Sequence, residues 1–362
     1  MDFKKIINLS LNQEDISRED CLAMLSSKET ELLPLLQAVY EVRKKFLGNI
    51  VTIHIINNVQ NGFCPEDCAY CAQSNASKTD IEEYSVKSDE EILKEAENAY
   101  KKGAFRYCMV FAGRGPNARR TEHIAQLIKK IKSAYPIEVC VSAGLLDQEK
   151  ACVLKEAGLD RLNHNLNTSE EHYEQICSTH TYEDRLNTLK AARGADLKLC
   201  SGMIVGMNET HEDIVQVAKT LRQLEVESIP VNFMIPIEGT RIKTENPLTP
   251  EFCLRILCLF RFLNPKSELR IAAGREMHLR SLQVMALYPA SSLFLDGYLN
   301  ARGDNALKTL QMIKDAGFTI KSEIPIEELL NKPSQMKEHS PSFTHNQNLK
   351  ALEELRPFLN TK

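Results

Sequence analysis

Three cysteines lie close together in the segment GFCPEDCAYCAQS, where Cys64, Cys68 and Cys71 have the spacing C-x3-C-x2-C. Thiolates are the ligands of iron–sulfur clusters, so three on one loop can hold three irons of a [4Fe–4S] cluster and leave the fourth iron open for chemistry. A structural zinc site needs four closed ligands, and ferredoxin-type clusters use four cysteines at other spacings. The spacing therefore predicts a cluster with one open iron.

A second set consists of single residues far apart in the chain. Cys108, Cys140, Cys200 and Arg270 are separated by 32, 60 and 70 residues. Each unit of a (β/α)8 barrel has about 31 residues, so these separations are near one, two and two units. We expect the four side chains to reach one level of a barrel interior. A strand cysteine is usually a small buried hydrophobe, but a buried arginine needs anionic partners, which thiolates supply.

The elements that position both sets alternate along the chain. Amphipathic helices end at Gly103, Gly158 and Gly194, each followed by an apolar strand, and glycine is favoured just past a helix end. Ser88 and Glu91 predict a capping box. Strands are predicted at 51–58, 106–112, 137–143, 161–166, 198–205, 229–236, 269–273 and 291–296. Helices are predicted near 88–102, 120–133, 148–157, 181–193, 209–223, 249–263, 278–286 and 304–316.

Eight alternating units predict a parallel sheet with right-handed crossovers, closed into a (β/α)8 TIM barrel. A doubly wound open sheet is the alternative. We divide the chain into an N-terminal helical extension (1–48), the barrel (49–320) and a flexible C-terminal tail (321–362). The segment LKALEELRPFL in that tail predicts one short helix and no chemistry.

Composition narrows the class of protein. Of 362 residues, 43% are hydrophobic and the net charge is −4, so a folded protein is expected and nucleic acid is a poor partner. The sequence contains no apolar run of membrane-spanning length, and its acidic beginning does not fit a targeting peptide. Eleven cysteines are many for a reducing compartment, where metal binding or catalysis is their usual role. We expect a cytoplasmic protein.

The cysteine loop resembles that of the radical S-adenosylmethionine superfamily, including the aromatic Tyr70 before the last cysteine. The resemblance implies that the open iron chelates the amino and carboxylate groups of S-adenosylmethionine. One electron then cleaves the sulfonium to a 5′-deoxyadenosyl radical, which abstracts an unactivated hydrogen. Tyr70 would lie near the adenine.

From about residue 40 to residue 320 the chain resembles the biotin synthase family. The matching segments are CPEDCAYCAQS, RYCMV, EVCVSAG, LNHNLNTS, THTYEDRL, LCSGMIVG, VNFMIP and RIAAGRE. The resemblance implies that Cys108, Cys140, Cys200 and Arg270 hold a [2Fe–2S] cluster, which supplies the sulfur that converts dethiobiotin to biotin. It also implies a flavodoxin- or ferredoxin-type electron donor and a homodimer.

The resemblance assigns binding roles to further side chains. Asn165 and Asn232 would contact S-adenosylmethionine or the ureido ring of dethiobiotin, and Asn167 would bond a ribose. Asparagines near strand ends also commonly cap turns. Arg185 would pair with the methionyl carboxylate, although a helical arginine is more often a solvated surface charge. His164 is expected to face away from the site.

Five cysteines remain without a predicted role and are expected to be packed core residues: Cys21, Cys152, Cys177, Cys253 and Cys258.

The chain departs from the family after the eighth strand. Asn300 and Ala301, with Arg302 next, stand where many members carry paired threonines for the substrate carboxylate. Two rival functions remain. One is another radical S-adenosylmethionine enzyme, of the hydrogenase maturase or methylornithine synthase type. The other is a non-enzymatic iron–sulfur redox sensor.

Overall fold

Parallel strands close into a barrel in the computed structural model, which describes residues 1–244 and 247–332. The strands are β1 (Ile50–Asn58), β2 (Arg106–Val110), β3 (Glu138–Ser142), β4 (Arg161–Asn163), β5 (Lys198–Cys200), β6 (Met203–Val205), β7 (Ser228–Phe233), β8 (Glu268–Ile271) and β9 (Ser292–Phe294). β1 pairs with both β2 and β9, which closes the ring. The predicted barrel is confirmed, and the open sheet is wrong.

Nine strands occupy eight positions because β5 and β6 share one. Both pair with β7, and the chain between them passes through Gly202. A Cβ at Gly202 would lie 1.8 Å from the carbonyl oxygen of Pro230. Only glycine lets the two backbones approach this closely.

Helices surround the barrel close to their predicted positions. They are α1 (Phe3–Leu11), α2 (Arg18–Leu25), α3 (Leu32–Leu47), α4 (Asp89–Lys101), α5 (Ala118–Ala134), α6 (Gln148–Glu156), α7 (Glu170–Ile176), α8 (Tyr182–Gly194), α9 (His211–Gln223), α10 (Pro250–Leu263), α11 (Arg275–Leu279), a 3-10 helix (Arg280–Leu287), α12 (Ala306–Asp315) and α13 (Ile326–Leu330). The capping box of Ser88 and Glu91 begins α4 as predicted. None of the described helices is long and apolar enough to span a membrane.

The N-terminal helices α1–α3 pack over α10, which is mostly apolar and buried throughout 253–263. A helix without a polar face needs such a cover. Ser10 donates its hydroxyl to the carbonyl of Phe262 at 2.7 Å, and Arg255 donates to the carbonyl of Thr30 at 2.6 Å. The division of the chain at residues 48 and 320 stays a prediction.

Two further pairings complete the described chain. β10 (Gly297–Tyr298) and β11 (Ala301–Arg302) form a hairpin beside the barrel mouth, and β12 (Thr319–Ile320) pairs with the start of β1. In α13, Leu329 is buried. The rest of the predicted tail, with its short helix, lies outside the described residues.

Candidate active site

A cavity of about 290 Å³ lies at the carboxyl ends of the barrel strands. Its wall includes the ends of β2, β3, β4 and β7 and the loop that follows β1. This is the face on which barrel enzymes build their active sites.

The loop after β1 places Cys64, Cys68 and Cys71 on the cavity wall. Backbone hydrogen bonds fold it: the N–H of Cys71 donates to the carbonyl of Cys68 at 3.1 Å, and that of Cys64 donates to Gln73 at 3.2 Å. All three thiols are free. Burial raises the pKa of Cys71 to about 11, so its thiol is protonated until a metal displaces the proton. Three free thiols on one cavity wall fit the donor set of a cluster with one open iron.

The strand cysteines come together inside the barrel, as their spacing predicts. Cys108 on β2 lies directly opposite Cys140 on β3. Both pack in one buried cluster with Cys200 and Phe294. Arg270 reaches the same cluster, with its Nη1 3.6 Å from the sulfur of Cys200. Three thiols and one guanidinium at one level fit a second cluster site.

This second set lies beneath the cavity floor. Val110, Tyr298 and Leu299 line the cavity and also pack against the strand cysteines. A substrate in the cavity would therefore lie between the cysteine loop and the strand cysteines.

The hydrogen bond with Cys140 lowers the pKa of Cys108, and the charge of Arg270 acts in the same direction against the effect of burial. The same hydrogen bond raises the pKa of Cys140. The hydrogen bond thus moves the pKa values of the two thiols in opposite directions.

Arg270 also has an anionic partner that the sequence analysis missed. Its Nη2 lies 2.5 Å from Glu268 Oε1 and donates to the hydroxyl of Ser228 at 2.7 Å, while its Nε donates to the hydroxyl of Ser292 at 3.0 Å. Glu268 accepts from Arg106 at 2.8 Å as well. Burial acts to raise the pKa of Glu268, but the guanidiniums outweigh it and hold the pKa well below its usual value.

Tyr70, Asn165 and Asn167 line the cavity on the side of the cysteine loop. The Nδ2 of Asn167 donates to the Tyr70 hydroxyl at 2.5 Å. Asn167 has φ +70°, a left-handed conformation that asparagine tolerates better than most residues. The fold thus links two of the side chains that were assigned to the nucleoside.

Arg185 is buried at the cavity wall and is not a solvated surface charge. It donates to the carbonyl of Asn165 and to His180 Nε2, both at 2.8 Å, and to the Tyr173 hydroxyl. Burial acts to lower the pKa of Arg185, but the phenols of Tyr70 and Tyr173 outweigh it and raise the pKa. The arginine remains a cation that can receive a carboxylate.

Asn232 lines the cavity, but its amide already bonds to the barrel backbone. Its Nδ2 donates to Met203 at 3.1 Å, and its Oδ1 accepts from the N–H of Ala273 at 3.2 Å. An amide has two N–H groups and two acceptor lone pairs. One of each is left for a ligand.

Asn300 and Ala301 line the cavity, whereas Arg302 is exposed. Asn300 and Asn61 exchange amide hydrogen bonds of 2.8 and 3.1 Å. The segment that departs from the family therefore does border the cavity.

One expectation about a single residue is wrong. His164 lines the cavity, and its Nε2 is buried without a hydrogen-bond partner among the described residues. Cys177 is packed in the core as expected, but its sulfur also lies 3.8 Å from that of Cys68. His164 lies just past the end of β4, where the chain borders the cavity, and Cys177 lies at the end of α7 against the cysteine loop. Neither contact has a signal in the local sequence.

Asn163 is a further residue that the sequence analysis missed. It lines the cavity and donates its Nδ2 to the sulfur of Cys200 at 3.2 Å. It thus connects the cavity to the strand cysteines. The alternation of asparagines in LNHNLNTS could have indicated it, since residues two apart share a face of a strand.

Comparisons with known proteins agree with this geometry. The family model described as Radical SAM superfamily matches residues 59–221, and the model described as Biotin and Thiamin Synthesis associated domain matches residues 230–319. Among solved structures, the FeFe-hydrogenase maturase HydG from Carboxydothermus hydrogenoformans has a TM-score of 0.75 at 17% identity, over 92% of this chain and 82% of that one. A methylornithine synthase has the same TM-score and identity over 91% and 99%. These two likenesses show the fold alone.

Curated relatives are much more similar in sequence. A biotin synthase of Acaryochloris marina is 55% identical over 90% of this chain and 94% of the relative. That of Magnetococcus marinus is 58% identical over 83% and 93%. That of Leptospira interrogans is 53% identical over 84% and 86%. With both cysteine sets at one barrel cavity and this identity over nearly the whole length, the chain belongs to the biotin synthase family of radical S-adenosylmethionine enzymes.

Proposed function

We propose that this enzyme converts dethiobiotin to biotin by inserting one sulfur atom between C6 and C9. Two hydrogen atoms leave the substrate, one from each carbon, and two C–S bonds form. The observation that carries the proposal is the position of one cavity between the cysteine loop and the strand cysteines. Membership of the biotin synthase family supports the type of reaction, and the position of the cavity supports where the substrate would bind.

Two cluster sites follow from the donor sets. Cys64, Cys68 and Cys71 would hold a [4Fe–4S] cluster. Strand residues Cys108, Cys140, Cys200 and Arg270 would hold a [2Fe–2S] cluster. When bound, the first cluster and S-adenosylmethionine supply a 5′-deoxyadenosyl radical that abstracts hydrogen, and the second cluster supplies the sulfur.

The chain's own residues bind and orient the small molecules. We assign Tyr70 and Asn167 to the nucleoside, since their side chains are linked at the cavity wall. The buried cation of Arg185 is assigned to the methionyl carboxylate, because a guanidinium binds a carboxylate at two points. Asn165 and Asn232 present amides, which match the donors and acceptors of a ureido ring.

The floor of the cavity controls what reaches the strand cysteines. Val110, Tyr298 and Leu299 separate them from the cavity with mostly apolar surface. Such a floor keeps water from the sulfur donor while holding a saturated substrate chain beside it. Proximity matters because a primary radical would otherwise react with the protein.

A flavodoxin- or ferredoxin-type donor, a homodimer and a cytoplasmic location are further proposals. The donor is supported by Phe63, 56% exposed and adjacent to Cys64, which places the cluster loop near the surface. A cytoplasmic location is supported by eleven free thiols, which suit a reducing compartment. Light scattering on the purified enzyme tests the dimer.

The decisive experiment is an anaerobic assay of the reconstituted enzyme with S-adenosylmethionine, a reductant and dethiobiotin. We expect both 5′-deoxyadenosine and biotin by mass spectrometry. Deoxyadenosine without biotin, in protein shown to hold both clusters, would overturn dethiobiotin as the substrate.

A further inference from the structure

Beside Cys68 of the cysteine loop lie two metal-binding side chains that the two cluster sites leave unused. Cys177 and His180 follow α7 and lie against Cys68, and all three side chains are buried. Within residues 1–244 and 247–332, this is the one group of three or more possible ligands close enough to share a metal ion.

The distances within this group match tetrahedral coordination of a single ion. The sulfurs of Cys68 and Cys177 are 3.8 Å apart, and the sulfur of Cys177 lies 3.3 Å from His180 Nδ1 and 3.9 Å from its Nε2. Metal–sulfur bonds of about 2.3 Å and metal–nitrogen bonds of about 2.0 Å at tetrahedral angles place two sulfurs about 3.8 Å apart and sulfur and nitrogen about 3.5 Å apart. The ligand atoms thus stand near their bound positions before any ion is present.

The surroundings of His180 fix which nitrogen carries the free lone pair. Arg185 has no acceptor, so its hydrogen bond to His180 Nε2 leaves that nitrogen without a proton. The proton is therefore on Nδ1, which lies 2.5 Å from Glu66 Oε2. A cation would take the lone pair of Nε2 in place of the Arg185 N–H. The Nδ1–H bond to the Glu66 carboxylate then holds the ring, as a carboxylate does for other metal-binding histidines.

We propose that the cluster-free protein binds one divalent cation of borderline softness, Fe²⁺ or Zn²⁺, through Cys68, Cys177 and His180. The donor set of two thiolates and one imidazole selects such ions over Mg²⁺ or Ca²⁺. Cys68 belongs both to this site and to the cluster loop, so the single ion and the [4Fe–4S] cluster compete for it. Fe²⁺ held there lies beside the place where the cluster is built, whereas Zn²⁺ held there blocks it.

The test uses full-length protein from which iron and sulfide have been removed under anaerobic, reducing conditions. Co²⁺ is the probe, because tetrahedral thiolate coordination gives visible d–d bands and a near-ultraviolet sulfur-to-cobalt band. We expect one equivalent of Co²⁺ to give both features. The double variant C64S/C71S should retain them, since it leaves all three proposed ligands in place.

Two single variants test the new ligands. C177S should weaken Co²⁺ binding about 100-fold or more, because loss of a hydrogen-bonding partner of a ligand alone costs 10–100-fold. H180Q should weaken it as well, and it serves if C177S fails to fold by circular dichroism. C152S is the matched control, since Cys152 lies on α6 away from the group. The proposal is overturned if wild-type protein gives no tetrahedral spectrum, or if C177S and H180Q retain it while C64S/C71S loses it.

Metal content provides a second readout that does not depend on catalysis. Wild-type protein preloaded with one equivalent of Zn²⁺ should take up less iron and sulfide during reconstitution, and C177S should be insensitive to the zinc. Equal inhibition of both proteins would place the zinc on the cluster loop itself and contradict the proposal. Neither readout requires biotin formation, so failure here leaves the proposed function intact.

Discussion

The cysteine loop and the strand cysteines both offer sulfur ligands, but the two sets differ in their spacing along the chain and in their exposure to solvent. Cys64, Cys68 and Cys71 are within eight residues of one another and hang on a loop whose neighbour Phe63 is exposed. The strand cysteines come from three separate strands and are buried in the barrel interior. One set is local in sequence and near solvent, and the other is distant in sequence and enclosed.

The difference lies in what holds each set in place. The cysteine loop is held by hydrogen bonds of its backbone and of side chains such as Ser74 and Asp67. The strand set is held by the sheet register, which places Cys108 opposite Cys140, and by the ion pairs around Glu268. We therefore expect loop substitutions to change chemistry with little effect on folding, and changes around the strand set to alter both.

The largest effect is expected for C68A, which removes one of three ligands from the cysteine loop. Formation of 5′-deoxyadenosine and of biotin should both fall to background, because two thiolates do not hold the cluster. Mass spectrometry of both products measures this, with C152S as the control. Normal deoxyadenosine formation by C68A would show that the loop is not the cleavage site.

C140A should distinguish the role of the cysteine loop from that of the strand cysteines. It should retain part of the 5′-deoxyadenosine formation while biotin is lost, because the cysteine loop remains intact when the strand set loses a thiolate. Product ratios from the same assay measure the split. If C140A makes biotin at the normal rate, the strand cysteines do not hold the sulfur donor.

The main expected effect of E268Q is a loss of barrel stability. It removes the charge that faces Arg106 and Arg270, and breaking a buried ion pair costs about 3–5 kcal/mol. Denaturant unfolding measures the loss. E97Q, in an exposed pair with Lys101, is the control and should cost less than about 1 kcal/mol.

The pH dependence of this loss has a defined sign. The pKa of Glu268 is lower in the folded protein than in the unfolded chain. Its carboxylate therefore contributes fully to the free energy of unfolding above the unfolded-state pKa. That contribution is lost as the pH falls through the folded-state pKa. Wild type and E268Q should converge in acid. A difference that grows as pH falls would contradict the ion-pair explanation.

The smallest effect is expected for R270K, which keeps the charge beside Glu268 and removes no thiolate. Biotin formation should fall no more than about tenfold, equivalent to about 1.4 kcal/mol. Iron and sulfide analysis should still find the second cluster. Complete loss of that cluster in R270K would show that Arg270 is as necessary for holding the cluster as the three cysteines, which contradicts the prediction.

Much of the architecture could be read from the sequence. Helix-ending glycines, the capping box at Ser88 and the apolar strand runs located the barrel units, because these signals act within a few residues. The C-x3-C-x2-C loop was equally local. The roles assigned to its cysteines and to the strand residues remain predictions.

Contacts between distant segments were harder to predict from the sequence. Barrel periodicity predicted that Cys108, Cys140, Cys200 and Arg270 share a level, and the structure brings them together. It did not predict that Glu268 would supply an anion for Arg270 beside the thiols. The contact between Glu268 and Arg270 depends on the side-chain directions of two residues of β8 in the closed barrel.

The sequence by itself determined the alternating elements, the closed barrel and the cysteine loop, since periodicity and spacing are properties of neighbouring residues. Only the tertiary structure decided that His164 faces the cavity and that Cys177 and His180 lie against Cys68. Those contacts join α7 to a loop more than 100 residues away. Side-chain packing after the ring has closed sets them, and no local pattern records that packing.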